Sequence, residues 1–250
     1  MGTWRIGTYA SQNERAEQLN AIRKGIELGI NLIDTAEIYG NGRSEELVGE
    51  AIKGMRDSAF IATKVASGHL RHDDVIAACE SSLRHLGIRQ IDLYQVHWPN
   101  PSVPIAETMG AMEELARSGR IRHIGVSNFS VRQTSEAKEA LGDFDIVSNQ
   151  VEYSLAERRV EEDILPYCKK QHLTLIAYSP LARGAIPQAA VPENILEKYK
   201  MTPAQAMLNW VTREPEVVAI PKAGTVAHME ENAKAVSLRM TREEYDSLSH

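Results

Sequence analysis

The sequence predicts an α/β protein: a (β/α)₈ (TIM) barrel occupying residues 1–250 as one domain, with two extra helices after the last barrel strand. Three observations carry the prediction. The chain has 250 residues, a length that one such barrel fills. Eight short runs rich in β-branched residues alternate with longer segments of helical periodicity, the pattern of βαβ units around a parallel sheet. Nearly all of these runs end in a polar residue, as barrel strands do where they build a site.

The runs are MGTW from Met1, INLIDT from Ile30, AFIATK from Ala59, IDLYQVH from Ile91, RHIGVSN from Arg122, FDIVSNQ from Phe144, LTLIAYS from Leu173 and VVAIPK from Val217. Between the first two, Leu19, Ile22 and Ile26 fall at helical spacing and predict an amphipathic helix. Gly87, Gly119 and Gly142 each follow a helical segment, where a left-handed residue closes the last turn. Thr202 before Pro203 reads as an N-cap with proline in the first helical position. Thr241 and Glu244 are spaced as a capping box and open the last helix. No internal repeat or Ser/Gly/Pro-rich linker divides the chain.

An open, doubly wound sheet is also made of βαβ units, but it would carry G-x-G-x-x-G directly after its first strand. The nearest run, GNGRSE from Gly40, lacks the third glycine and follows the second strand. The barrel is therefore preferred.

Bulk properties exclude several functions. Hydrophobic residues make up 43% and charged residues 25%, ordinary for a packed globular chain. A net charge of −6 argues against a nucleic-acid partner, which requires a basic surface to displace counterions. The two cysteines, Cys79 and Cys168, lie in helical segments outside any C-x-x-C or metal-ligand spacing, so no metal is expected and a reducing cytoplasm is the simplest location. No signal-like leader and no stretch of about 18 apolar residues points to secretion or a membrane.

The polar ends of the second to eighth runs are Asp34, Lys64, His97, Asn128, Gln150, Ser179 and Lys222. Any one of them alone could be a capping or salt-bridged residue; on one rim they make a site. Tyr39 follows Asp34 by five residues, so the intervening loop can return its phenol over the barrel mouth. A phenol of pKa about 10 is a poor proton donor at neutral pH, and an ammonium beside it lowers that value. Lys64 supplies the charge, Asp34 keeps Lys64 protonated, and His97 donates a hydrogen bond to a carbonyl oxygen. This set suits protonation of an oxygen that is gaining negative charge. Lys222-Ala-Gly-Thr225, at the start of the helix after the last strand, suits a phosphate.

These residues stand in segments that resemble the aldo-keto reductases: Gly2-Thr3-Trp4, IDTAEIYGNGRSEELVGEAI, IATKV, LYQVHWP, IGVSNF, NQVEYS, AYSPLARG and IPKAGTVAHMEEN, in order along nearly the whole chain. The resemblance implies an NADPH-dependent reductase of aldehydes and ketones whose catalytic tetrad is Asp34, Tyr39, Lys64 and His97. It implies that Tyr178 stacks on the nicotinamide while Ser127, Asn128 and Gln150 bind its carboxamide. Thr3, Trp4, Ser179, Leu181 and Arg183 would be further cofactor contacts. Lys222 and Thr225 would hold the adenosine 2′-phosphate, and Glu231 and Asn232 the adenine. Substrate would meet Trp4, Tyr39, His97 and Trp98.

Two departures qualify the resemblance. Where many NADPH-specific members have an arginine, this chain has His228, a weaker phosphate ligand, so NADPH is expected to be preferred with NADH tolerated. Members of the family usually begin with a hairpin that plugs the barrel bottom, whereas here Met1 is read as standing already in the first strand, so either a truncated chain or a different closure of the bottom is expected. With the short segment WPNPSVP after His97 and little chain beyond the last helix, the pocket is expected to be shallow and loosely specific for small carbonyl compounds, in a monomer or weak oligomer. A non-catalytic nucleotide-binding barrel and a Schiff-base enzyme using Lys64 are the alternatives, the latter disfavoured by Asp34.

Overall fold

In the computed structural model, which describes residues 1–185 and 191–248, seven parallel strands pair strictly in chain order. They are β1 (Leu32–Asp34), β2 (Phe60–Val65), β3 (Ile91–Val96), β4 (Ile121–Ser127), β5 (Ile146–Glu152), β6 (Thr174–Tyr178) and β7 (Val217–Ala219). Each coincides with a run read from the sequence. The eighth run, at Met1, differs: only Gly2 pairs, with Asp34 on one side and Lys222 on the other, and through it the ring closes. The Gly2 amide donates to the Pro221 carbonyl (3.1 Å) and the Thr3 amide to that of Asp34 (2.9 Å). The strand stops there because the chain turns away through left-handed Arg5 (φ 64°) and Gly7 (φ 84°). β7 is short for a similar local reason, since Pro221 has no amide to extend a ladder.

The helices are α1 (Gln12–Glu27), α2 (Arg43–Ala51), α3 (His72–Leu86), α4 (Ile105–Arg117), α5 (Val131–Glu139), α6 (Ile164–Gln171), α7 (Glu193–Tyr199), α8 (Pro203–Val211), α9 (Val226–Lys234) and α10 (Arg242–Ser247). Two follow β7, as expected, and α9 packs against both α1 and α8, joining the ends of the helical layer. Leu19, Ile22 and Ile26 form the buried face of α1. The Thr202 and Thr241 capping boxes are formed, with Pro203 in the first turn of α8. Gly87 and Gly119 are left-handed (φ 63° and 73°). Gly142 is not: α5 ends at Ala140 in right-handed conformation, and the Gly142 amide instead donates to the Glu113 carboxylate at 3.2 Å.

β2 and β3 are buried on both faces, which is why their runs read as continuous rather than alternating. Ile61, Val65, Tyr94 and Val96 join the core beneath the helices, whereas Ala62, Leu93, Ile176 and Ile220 form a separate cluster that fills the barrel. Gly49 lets α2 approach the end of α3, where a Cβ would lie 2.4 Å from the Leu86 carbonyl oxygen. Among the described residues no helix is long and apolar enough to cross a membrane.

Candidate active site

The carboxyl ends of the strands open into a cleft of about 720 Å³. It is lined by Trp4, Asp34, Tyr39, His97, Trp98, Ser127, Asn128, Gln150, Tyr178, Ser179, Leu181, Arg183 and Lys222, all expected from the sequence. A second hollow, of about 620 Å³, lies by Asn31, Ala59 and Phe60, where β2 begins. Its buried carboxylate, Asp92, is already paired with Arg56 and Arg122, and barrel chemistry is built at the other end.

Lys64 is inaccessible to solvent and sits just below the cleft floor. Its ammonium donates to both oxygens of Asp34 (2.8 and 2.7 Å) and to the Thr35 carbonyl (2.8 Å). Burial opposes its charge, but Asp34 and Tyr39 outweigh that and raise its pKa, so Lys64 is a fixed cation. Asp34 is itself held by Gln150, whose amide donates to Oδ1 at 2.7 Å, with the Gln95 amide farther off at 3.5 Å.

The Lys64 nitrogen lies 5.4 Å from the centre of the Tyr39 ring. The expected lowering of the phenol pKa is not found. Burial pushes it above its ordinary value and Asp34 adds to the rise, together outweighing the downward pull of Lys64. The resting phenol is therefore firmly protonated. His97 packs edge-on to Tyr39, ring centres 5.8 Å apart. Burial, reinforced by the Lys64 charge, lowers its pKa to about 4, so the imidazole is neutral at physiological pH. A neutral ring donates through one nitrogen and accepts through the other.

Across the cleft, left-handed Asn128 (φ 61°) directs its side chain inward. Its Nδ2 donates to the His97 carbonyl and to Ser127 Oγ, each at 3.0 Å, while Oδ1 accepts from the Tyr178 phenol at 3.1 Å. The Ser127 hydroxyl donates to the Gln150 carbonyl. This group of amides and hydroxyls matches the donors and acceptors of a carboxamide, beside an aromatic ring. Arg5, Arg183 and Lys222 add positive charge to the same walls, suited to phosphates. The residues thus fit a pyridine dinucleotide, and the cleft has ligand-pocket size.

The other expected contacts lie outside this lining. Thr3 is fully buried, its hydroxyl donating to the Asp34 carbonyl. Thr225 is the N-cap of α9, accepting from the His228 amide at 3.2 Å, with the His228 side chain facing solvent. Glu231 accepts from the Thr202 hydroxyl, and Asn232 is buried. Trp4 and Trp98 are about half exposed at the cleft mouth, 47% and 50%, as walls rather than core. Sequence reasoning passed over Ile38 and Arg5 in the lining, and Gln95 beneath Asp34. Gln95 was findable, since it stands two residues before His97 on β3 and so shares its face.

Comparison with known proteins identifies the family. The sequence model described as Aldo/keto reductase family matches residues 1–250. The chain is 41% identical over 248 residues to "Methylglyoxal reductase YeaE" of Escherichia coli strain K12, covering 97% of this chain and 86% of that protein. Among solved structures it is similar to the thermostable aldo-keto reductase Tm1743 in complex with the inhibitor epalrestat, with a TM-score of 0.94 and 42% identity over 100% of this chain and 93% of the other. It is also similar to an aldo/keto reductase from Klebsiella pneumoniae in complex with NADP and acetate, with a TM-score of 0.90 and 38% identity over 99% of this chain and 88% of that one.

Proposed function

Since the chain belongs to the aldo/keto reductase family and is an NADP(H)-dependent oxidoreductase of carbonyl groups, we propose that it reduces small aldehydes and ketones, methylglyoxal among them, with Tyr39 as the proton donor. The observation that carries this reading is the convergence of a protonated phenol, a fixed ammonium and a neutral imidazole on one cleft.

When bound, the reduced nicotinamide supplies a hydride to the carbonyl carbon. Tyr39 gives its proton to the carbonyl oxygen, and the resulting phenolate is stabilised by Lys64, whose charge Asp34 secures. His97, as a neutral donor, orients the same oxygen. Ser127, Asn128 and Gln150 are assigned to the carboxamide and Tyr178 to the ring face. Ser179, Leu181 and Arg183 continue that wall. Lys222 and Thr225 are assigned to the 2′-phosphate, and Glu231 with Asn232 to the adenine. Trp4 and Trp98 screen the substrate, and their half-exposed position supports loose specificity. We place the enzyme in the cytoplasm, as a monomer or weak oligomer.

The test is an assay of methylglyoxal and a panel of aldehydes, ketones and sugars with NADPH and with NADH, followed by nicotinamide absorbance. Oxidation of NADPH by methylglyoxal and several other carbonyls, with NADH slower, is expected. Tight NADPH binding without oxidation by any carbonyl would instead mark a non-catalytic nucleotide-binding protein.

A further inference from the structure

The Glu45 side chain is inaccessible to solvent in the first turn of α2, and the chemistry proposed above does not use it. Its Oε1 accepts from the Thr63 hydroxyl at 2.7 Å and its Oε2 from His85 Nδ1, in the last turn of α3, at 3.1 Å. A buried carboxylate is tolerated only with such partners. Both ends of this arrangement lead to the catalytic pair. Thr63 immediately precedes Lys64 on β2. On the other side, Tyr39 is followed by three successive left-handed residues, Gly40, Asn41 and Gly42, with φ of 61°, 54° and 87°, before α2 starts.

Glycine and asparagine reach these angles at little cost and leave them as readily, so what fixes the run is the contacts that hold it. One clamp is the Ser44 amide, donating to the Tyr39 carbonyl at 3.3 Å. Further backbone bonds join Arg43 to Gly40 and Glu46 to Gly42, and a side-chain clamp is the His85 ring, which lies against the Gly42 backbone so closely that a Cβ there would be 2.4 Å from Cε1. The same ring therefore satisfies Glu45 and confines the segment from which Tyr39 projects.

We propose that His85 is a positioning residue: by donating to buried Glu45 and packing on Gly42, it holds the left-handed run, and with it Tyr39, in register with Lys64. The proposal rests on the reading of Tyr39 as proton donor. It does not give His85 any contact with substrate or cofactor, since His85 is absent from the cleft lining.

His85→Leu removes the donor and keeps apolar bulk, whereas His85→Asn keeps an N–H at the place of Nδ1. Each is compared with wild type by kcat and KM for methylglyoxal, by NADPH affinity from fluorescence quenching, and by amide hydrogen exchange of the cofactor-free protein. His85→Leu is expected to lower kcat by about tenfold or more, since small misplacements of a catalytic group cost that much, with NADPH affinity unchanged. Exchange over residues 36–46 speeds up while the rest of the barrel stays protected. His85→Asn restores most of both. If His85→Leu does not fold, Thr63→Val, which removes the other donor to Glu45, carries the same expectation. Wild-type kcat and exchange in His85→Leu overturn the proposal, as does a His85→Asn variant no better than His85→Leu. A wild-type enzyme that reduces no carbonyl overturns the catalytic reading instead, and the exchange data still decide whether His85 holds the segment.

Discussion

Replacing Lys64 by methionine tests the electrostatic half of the mechanism. The ammonium is fully buried and 5.4 Å from the Tyr39 ring centre. With an effective dielectric near 20, two unit charges at that separation interact by roughly 3 kcal/mol. Without the ammonium, the phenolate that develops as Tyr39 gives up its proton is less stable by about this amount, or about two decades in kcat. The substitution also strands the Asp34 carboxylate, and breaking a buried pair from one side costs about 3–5 kcal/mol of stability. The informative variant is therefore Asp34→Asn combined with Lys64→Met, which removes both charges. After circular dichroism and thermal melting establish that it folds, its NADPH oxidation is measured at saturating methylglyoxal, with NADPH affinity measured separately. Removing Asp34 also lifts its opposing effect on the phenolate, so the double variant loses less than the roughly 3 kcal/mol of the ammonium alone. A folded double variant that binds NADPH and turns over as fast as wild type would refute the reasoning.

His97 supplies a pH prediction. Its folded pKa is about 4, while an unfolded histidine titrates near 6.5. Between these values the unfolded chain binds more protons, so stability falls as pH drops from about 6.5 to about 4, by up to about 3 kcal/mol. Wild type should lose melting temperature over that window more steeply than His97→Gln, and identical slopes would count against a buried neutral imidazole. Gly49→Ala should destabilise by about 1–3 kcal/mol or more through the Leu86 carbonyl. Gly110→Ala, in α4 with open space around it, should stabilise by about 0.4–1 kcal/mol; equal denaturation midpoints for the two would contradict the packing argument. His228→Arg should tighten NADPH and leave NADH unchanged in fluorescence titrations, since arginine forks onto phosphate permanently charged. Equal tightening of both cofactors would place residue 228 away from the 2′-phosphate.

Periodicity and β-branched runs made the barrel legible because its strands are local and ordered along the chain. Where the reading failed, tertiary geometry had intervened. MGTW became a single bridging glycine because Arg5 and Gly7 turn the chain, and Gly142 serves a side chain of α4 rather than the end of α5. The polar strand ends located Asp34, His97 and Asn128 on the cleft and Lys64 beneath it, since their position follows from where a barrel strand stops. The direction of the Tyr39 shift was misjudged because burial, which no motif encodes, outweighs the neighbouring ammonium. Glu45 and His85 are 40 residues apart and meet only when α2 packs on α3, so no spacing rule could pair them.

The most direct measurement of the account is Tyr39→Phe, assayed for methylglyoxal reduction alongside NADPH binding by fluorescence quenching. The loss of one hydroxyl should abolish measurable turnover while NADPH affinity stays within about twofold, because the phenol acts only on substrate oxygen. A variant that binds NADPH normally and retains most of its turnover would contradict the assignment of Tyr39 as the proton donor.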